Sequence, residues 1–356
     1  MSGNISIHKS QNSNLSSVDF NNIPFGKVFS DHMFMADYID GKWTNFIISK
    51  LAPFEVHPGN LAWHYGQAIF EGMKATAKPD GTPLLLRPEQ HIKRLNRSAE
   101  RMSMPSFPED LFVEAIKELV SLDRDWIPKK KGSALYIRPL MIAMDEALGV
   151  RASETYKLII FTLPVGPYYT KSVSLLAENQ YVRAAEGGVG EAKTAGNYAA
   201  SLLPARIAKE KGYDQIMWMD AKEFKYVQEV GTMNIFFVID NKVYTPKAGG
   251  TILRGITRDC VITILKDEGH EVIEGELPID FIVEAANNGT LQEIFGTGTA
   301  AVISNVYKFG YNGKDYHVDV DSYKISPFLK TYIESLRAGE KEDKFGWLHE
   351  LAAIEA

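Results

Sequence analysis

Residues 186–198 read Glu-Gly-Gly-Val-Gly-Glu-Ala-Lys-Thr-Ala-Gly-Asn-Tyr, four glycines and one lysine in a stretch that no hydrophobic core would hold. The run Gly187-Gly-Val-Gly-Glu-Ala-Lys193-Thr194 is one residue away from a P-loop, which needs glycine where Ala192 stands. Lys193 could grip a nucleotide phosphate, bond covalently to a cofactor, or sit in a solvated loop. A P-loop needs a buried parallel strand feeding its first glycine, so that backbone N–H groups can cradle phosphate. The lead-in Asn179-Gln-Tyr-Val-Arg-Ala-Ala-Glu186 is polar and charged instead. Ile216-Met-Trp-Met-Asp220 imitates a strand ending in a metal-binding aspartate, but strands commonly end on Asp at a turn. The nucleotide reading is the weaker one.

Composition narrows the classes. At 356 residues the chain is too long for one ordinary core, so two domains are expected. With 45% hydrophobic and 24% charged residues it is an ordinary globular protein, and a formal charge of −6 argues against nucleic acid or an anionic membrane as partner. The single cysteine, Cys260, excludes internal disulfides and fits a reducing compartment. Apolar runs such as Leu158–Leu163 and Ile235–Ile239 are strand-sized, too short to span a membrane. The first twenty residues are polar, rich in Ser and Asn, and lack a signal-peptide core or the arginines of a transit peptide. They read as a mobile tail in a cytoplasmic protein.

Short β-branched and aromatic runs predict strands over Phe34–Tyr38, Leu84–Arg87, Ala134–Ile142, Leu158–Leu163, Gln215–Met219, Asn234–Ile239 and Lys242–Pro246. Asp240-Asn241 is a tight hairpin signal between the last two. One helix opens at Pro88 with Ile92, Leu95 and Met102 on one stripe; others are expected over Glu109–Leu122, Asn197–Lys211, Thr257–Glu268 and Asp280–Asn288. Pro204 should kink the third of these. Hairpins without a regular β-α-β march indicate an α+β or mixed α/β class. Two prolines and a glycine interrupt the apolar run Leu163-Pro-Val-Gly-Pro-Tyr-Tyr-Thr170, the best place for a linker. The expected plan is a tail over 1–24, a small domain over 25–163, a linker over 164–174 and a larger domain over 175–356 that carries Lys193.

The covalent reading of Lys193 makes several demands. A lysine that forms a Schiff base needs partial burial and room for a flat cofactor, and Gly187, Gly188, Gly190, Ala192, Ala195 and Gly196 offer that room. Pyridoxal phosphate then wants backbone N–H groups, hydroxyls and an arginine for its phosphate, and a carboxylate for its ring nitrogen. Its ring 3-oxygen needs a donor as well. Gly296-Thr-Gly298-Thr299, at the end of an apolar strand, is a candidate nest. Leu253-Arg-Gly-Ile-Thr257 precedes a helix whose N-terminal amides suit an anion. Glu229 lies at the mouth of a strand, and Arg94, Arg97 and Arg101 form a basic stripe among which spacing does not choose. Each feature alone also reads as an ordinary turn or solvated face. No His-Glu-x-x-His, Cys-x-x-Cys or Gly-x-Ser-x-Gly pattern offers a rival chemistry, so no metal is expected, and His64 reads as structural.

At this point the motifs become recognisable. Phe25-Gly-Lys-Val-Phe-Ser-Asp-His-Met, His64-Tyr65, Phe70-Glu-Gly-Met-Lys74 and Leu135-Tyr136-Ile-Arg138-Pro139 resemble the branched-chain-amino-acid aminotransferases. So do Gly187-Gly-Val-Gly, Lys193 with Gly196-Asn-Tyr198, Glu229-Val-Gly-Thr-Met-Asn-Ile-Phe, Ile252-Leu-Arg-Gly-Ile-Thr257 and Gly296-Thr-Gly-Thr-Ala300, from about Phe25 to beyond Ala300 in the family's order.

The resemblance implies a two-domain α+β fold of fold type IV, like D-amino-acid aminotransferase, with pyridoxal 5'-phosphate in the interdomain cleft and a homodimer as the minimal unit. It implies that Lys193 is the Schiff-base lysine and proton shuttle, Glu229 the partner of the ring nitrogen, and Tyr198 that of the 3-oxygen. Arg94 becomes the phosphate arginine, with Ile256 and Thr257 amides and Thr299 completing the cup and Leu253 on the ring face. Phe25, Tyr65, Tyr136 and Tyr168 are implied as pocket walls, and Arg138 as the receptor of glutamate's distal carboxylate. Thr299 and Ala300 N–H groups would hold the α-carboxylate, while Leu148-Gly-Val150 would reach the neighbouring subunit's site. The reaction implied is a ping-pong transfer of the amino group of L-leucine, L-isoleucine or L-valine to 2-oxoglutarate, giving the branched 2-oxo acid and L-glutamate. Two departures stand out. Arg254 replaces a proline common among relatives, and Ala301-Val-Ile-Ser304 stands where some animal members carry a redox Cys-x-x-Cys. Within the fold, D-amino-acid aminotransferases and aminodeoxychorismate lyases are the alternatives.

Overall fold

Alternation along Ala134-Leu-Tyr-Ile-Arg138 decides where the first part of the chain puts its core. In a strand successive side chains face opposite sides. Leu135 and Ile137 are fully buried in the main apolar cluster, while Ala134 and Tyr136 belong to a small cluster with Leu163 and Val165. The computed structural model describes residues 5–167 and 171–351, which group into two units. The first takes residues 5–167, Ala192–Ala195 and 334–351; the second takes 171–191 and Gly196–Ile333.

The first unit is built on β1 (Ser6–Ile7), β2 (His32–Ile39), β3 (Lys42–Lys50), β4 (Ala68–Phe70), β5 (Met73–Ala77), β6 (Pro83–Leu86), β7 (Ala134–Ala143) and β8 (Tyr156–Val165). Their order is β1-β3-β2-β8-β7-β5-β6, closed by the strand Leu348–Glu350, with β4 also beside β7. β1 runs parallel to β3 through Ser6↔Ile47 and Ile7↔Ile48. The segment expected to be a tail therefore contributes a strand, and Leu15, Val18 and Phe20 pack on the core. Helices α1 (Leu61–Tyr65), α2 (Pro88–Arg101) and α3 (Glu109–Leu122) come next, the last two at the expected spacing. Ile92, Leu95 and Ala99 of α2 and Phe112, Ile116 and Leu119 of α3 bury against Phe34, Leu135, Ile137, Leu158 and Ile160. Met102 is the C-cap of α2, only partly buried. Each large apolar side chain buried on this face contributes about 1.5–3 kcal/mol, which leaves the opposite face for chemistry.

The second unit carries β9 (Val173–Ala177), β10 (Gln215–Met219), β11 (Val227–Val230), β12 (Asn234–Ile239), β13 (Lys242–Pro246), β14 (Val272–Gly275), β15 (Leu291–Gly298), β16 (Val302–Tyr311) and β17 (Lys314–His317). The order is β11-β10-β9-β16-β15-β12-β13-β14, with β17 on β16. Asp240 and Asn241 have φ of 48° and 63°, the two left-handed residues of the tight hairpin joining β12 to β13. Helices α4 (Ala195–Ala200), α5 (Leu202–Glu210), α6 (Ile256–Asp267) and α7 (Ile279–Asn288) complete the elements used below.

The helix predicted over Asn197–Lys211 is two helices broken at Ser201, not one kinked at Pro204. Pro204 falls in the first turn of α5, where its missing N–H costs nothing. A second difference concerns Lys193. It groups with the first unit because its backbone is held there: its N–H donates to Ser98 Oγ (2.9 Å) and its carbonyl accepts from Phe70 N–H (3.0 Å).

Candidate active site

In the first unit Lys193 is anchored as part of an improvised strand edge. Thr194 bridges to Ile69, and its hydroxyl donates to Ala68 O at 2.8 Å. With the peptide fixed on both sides, the half-buried ammonium lies 4.8 Å over the Phe70 ring, a cation–π placement. The same ring carries the Arg138 guanidinium at 4.8 Å, and Arg138 Nη2 donates to Tyr136 Oη at 3.2 Å. Phe25 meets the Tyr136 ring edge-on at 6.0 Å. Register explains the grouping. Arg138 pairs with Phe161, and Tyr136 with Leu163 and Lys74, so all stand on the face of the sheet that α2 and α3 leave uncovered. An aromatic surface with one guanidinium is what a branched side chain and a carboxylate each require.

The helix α2 separates the three arginines by burial. Arg97 and Arg101 are exposed, whereas Arg94 is buried. Its Nε and Nη2 donate to Glu71 Oε1 (2.7 Å) and Oε2 (2.9 Å), a bidentate fork. His91 Nδ1 bonds the same carboxylate at 2.7 Å. Burial would raise the Glu71 carboxyl, but Arg94 and the hydrogen bonds from Arg94 and His91 hold it well below the usual carboxylate range. Burial pushes His91 down, so the neutral imidazole donates Nδ1–H. Glu71, His91 and Ser98 were not singled out in the sequence; nothing in a linear reading tells a buried Glu that has found its arginine from a strand-end acid.

Tyr65, Leu148 and Val150 form a separate, outward-facing group. The Gly149 N–H donates to Tyr65 Oη at 3.0 Å, while Leu148 and Val150 are 70% and 89% exposed. His64 bonds Pro58 O at 2.7 Å, as suits a structural histidine. Tyr168 lies outside the described residues.

In the second unit the segment Glu229-Val-Gly-Thr-Met-Asn234 is a hairpin. Val230 and Met233 exchange both backbone hydrogen bonds across Gly231-Thr232, and Gly231 takes the φ of +53° that the turn requires. The carboxylate of Glu229 and the amide of Asn234 thereby come side by side, 3.5 Å apart. Asn234 also donates to Leu253 O at 2.9 Å, and Leu253 N–H donates to Glu229 Oε1 at 2.8 Å. These bonds tie the hairpin to the loop entering α6. At Gly255, the N-cap of α6, a Cβ would lie 1.9 Å from Asn234 Oδ1, so only glycine lets that loop close. Ile256 and Thr257 then open α6, and N–H groups of a first turn lack intrahelical acceptors.

Two expectations about glycine change. Gly296 and Gly298 do not form a nest; both remain in β15, paired with Ser304 and Val302. They make room for Met233, whose side chain would lie 2.9 and 3.2 Å from a Cβ at each. Thr299 and Ala300 occupy the turn that follows. Nor do the glycines around Lys193 all clear space. Gly187 and Gly196 face open surroundings, but a Cβ at Gly190 would lie 2.5 Å from Ala184 Cβ and 2.6 Å from Thr251 O. Gly190 is there for close packing. Tyr198 is half-buried on α4.

Comparison with known proteins agrees with the motifs. The family description amino-transferase class IV matches residues 68–309, and the chain belongs to that family. The chain is 48% identical over 339 residues to branched-chain-amino-acid transaminase 1 of Bacillus subtilis, covering 94% of this chain and 95% of that protein. It is 45% identical to branched-chain-amino-acid aminotransferase 2 of the same organism, at 94% coverage of each. Among solved structures it is similar to the Escherichia coli branched-chain amino acid aminotransferase, with TM-score 0.71, 27% identity, and 90% and 99% of the two chains covered. The T.th. branched-chain amino acid aminotransferase with pyridoxamine 5'-phosphate aligns with TM-score 0.74 at 26% identity, covering 92% and 100%. The fold expected from the resemblance, α+β with two sheets, is borne out.

Proposed function

We propose that the protein is a branched-chain-amino-acid aminotransferase that uses pyridoxal 5'-phosphate to move the amino group of leucine, isoleucine or valine to 2-oxoglutarate. The observation that carries the reading is the buried Glu229 carboxylate, fixed by Leu253 N–H and Asn234 beside the start of α6. A buried anion next to a helix N-terminus suits a cofactor with a cationic ring nitrogen at one end and a phosphate at the other. The residues fit that group. Gly255 lets Asn234 close against the start of α6, α6 offers N–H donors, and Arg94 is a buried guanidinium already oriented by Glu71.

When bound, the cofactor supplies an electron sink for the electrons left at the substrate's α-carbon. The chain's residues do the rest. Glu229 would hold the proton at the ring nitrogen, Tyr198 would donate toward the 3-oxygen, and Leu253 would pack on the ring. Arg94, Ile256, Thr257 and Thr299 would hold the phosphate. Lys193 Nζ would take the substrate's α-proton and hold it for return, a transfer that contributes about 10²–10⁴-fold. Phe25 and Tyr136, with Tyr65, would form the apolar walls. Arg138 receives the distal carboxylate of glutamate and 2-oxoglutarate, and Thr299 and Ala300 N–H groups hold the α-carboxylate. We place the enzyme in the cytoplasm as a homodimer. Its single cysteine, Cys260, is buried, and the exposed Trp63, Leu148 and Val150 offer an apolar surface for a second copy.

The test is the visible absorbance of the cofactor-loaded protein before and after leucine, with and without 2-oxoglutarate. Leucine alone should bleach the band and 2-oxoglutarate should restore it. Lys193→Ala should lose both the band and turnover; full activity in that variant would end the proposal.

A further inference from the structure

The glycine-rich approach to Lys193 closes around one side chain that nothing above has used. Arg183 is largely buried, with 11% of its side chain exposed, and its Nε lies 3.1 Å from Glu229 Oε2. Its Nη2 donates to Gly190 O at 3.1 Å and also to Thr251 O. A single guanidinium therefore joins the acid of β11, the loop three residues before Lys193, and the loop that leads into α6. The fit explains the glycine: any Cβ at Gly190 would strike Thr251 O and Ala184, and the loop could not settle onto Arg183. Thr251 is tied a second time, its hydroxyl donating to Gln228.

We infer that Arg183 is a positioning residue for the cofactor's ring nitrogen, a role that rests on the reading of Glu229 proposed above. A proton shared between a carboxylate and a pyridine nitrogen goes where the resulting charges are best held. Arg183 lies directly against the carboxylate, so it favours the arrangement with negative charge on Glu229 and the proton on the ring. Leu253 N–H stabilises the same state from the other carboxylate oxygen. The contacts to Gly190 and Thr251 give the guanidinium a second task. They couple the hold on the ring to the two loops, so that loosening Arg183 loosens the cofactor as a whole. Lysine carries the charge but not the planar fork, and cannot do both.

The test loads wild type, Arg183→Gln, Arg183→Lys and Glu229→Gln with pyridoxal 5'-phosphate isotope-labelled at the ring nitrogen. The nitrogen chemical shift and the rate of cofactor release are then measured, alongside the thermal midpoint of each cofactor-free protein. Wild type should show a protonated ring nitrogen and Glu229→Gln an unprotonated one. Arg183→Gln should move toward the Glu229→Gln position and release cofactor about tenfold faster or more, the scale of one charge-assisted hydrogen bond. Arg183→Lys should keep most of the wild-type shift yet still release cofactor faster. A wild-type shift in Arg183→Gln overturns the inference, whatever its thermal midpoint. Should Arg183→Gln not fold, an unchanged release rate in Arg183→Lys overturns it instead. If wild type binds no cofactor, or Glu229→Gln leaves the shift unmoved, the reading of Glu229 has failed.

Discussion

Gly72 is the residue of Phe70-Glu-Gly-Met-Lys74 whose replacement tests the substrate face most sharply. A Cβ there would lie 2.0 Å from Tyr136 Oη and 2.8 Å from Cζ. Ordinary contact begins at 3.4 Å, so in Gly72→Ala the hydroxyl must retreat by about 1.4 Å. Tyr136 is 6% exposed, so its ring has little room to yield. Its bond to Arg138 Nη2, 3.2 Å long, is what the retreat breaks. A hydrogen bond to a charged group contributes about 1.5–3 kcal/mol, and overpacking a filled site costs about 1–3 kcal/mol. The first term falls on the orientation of Arg138. If it is expressed in the transition state, the 2-oxoglutarate half-reaction slows about ten- to a hundredfold. The second falls on folding and lowers the thermal midpoint. Single-turnover rates for each half-reaction, with a melting curve, separate them. The leucine half-reaction should lose less, because it needs the aromatic wall but not the cation. A variant with wild-type 2-oxoglutarate rates and an unchanged midpoint would refute the packing argument. One that lost leucine turnover preferentially would refute the role of Arg138.

Three further outcomes follow from charges in the first unit. Arg138→Gln should harm the 2-oxoglutarate half-reaction more than the leucine one; equal losses in single-turnover assays would remove its assignment. Glu71→Gln should cost about 3–5 kcal/mol in denaturant melts at neutral pH, because Arg94 is left buried beside a neutral amide. The folded Glu71 carboxyl titrates below its ordinary value, so its contribution is complete above about pH 5 and is lost as pH falls through the folded value. The wild-type advantage over Glu71→Gln should therefore shrink in acid, and a constant difference would contradict this. Lys74 is the opposite case. Burial and the Arg337 guanidinium, partly offset by Glu334, push its ammonium down to about 7. The folded state then binds fewer protons than the unfolded chain, whose lysine titrates near about 10.4, and stability rises with pH across that window. Lys74→Met should raise the thermal midpoint at and below about pH 7, with the gain fading toward about pH 10; an equal gain at both ends would show that the charge is not what burial penalises.

What was legible in the sequence divides along a physical line. Elements set by local periodicity came through: α3 spans the expected Glu109–Leu122, and β10, β12 and β13 end where expected. β3 did not, because Lys42, Thr44, Asn45, Ser49 and Lys50 interrupt the apolar pattern around Trp43, Phe46 and the buried Ile48. α4 and α5 were merged because a proline in a first turn and one in a helix interior look alike until the preceding break is seen. The residues proposed to carry the chemistry were named as types, a lysine, an acid and a tyrosine, since chemistry constrains the type. Their supports were not.

The thirteen residues from Glu186 to Tyr198 show why. A glycine can be needed for space, for a positive φ, or for close approach, and the three leave the same letter. Gly187 takes φ of +75° and Gly190 touches Thr251, sixty-one residues away in sequence. Only the long-range contact tells them apart, and long-range contacts have no periodic trace. Asn234 is an instructive exception. Once Gly231-Thr232 is read as a two-residue turn, the partner of Glu229 follows by counting outward: 230 pairs with 233, and 229 faces 234. A local turn rule thus converts spacing into contact for the hairpin. Arg183 obeys no such rule, because it reaches its three partners across loops, and loop geometry is set by the packing of the whole unit.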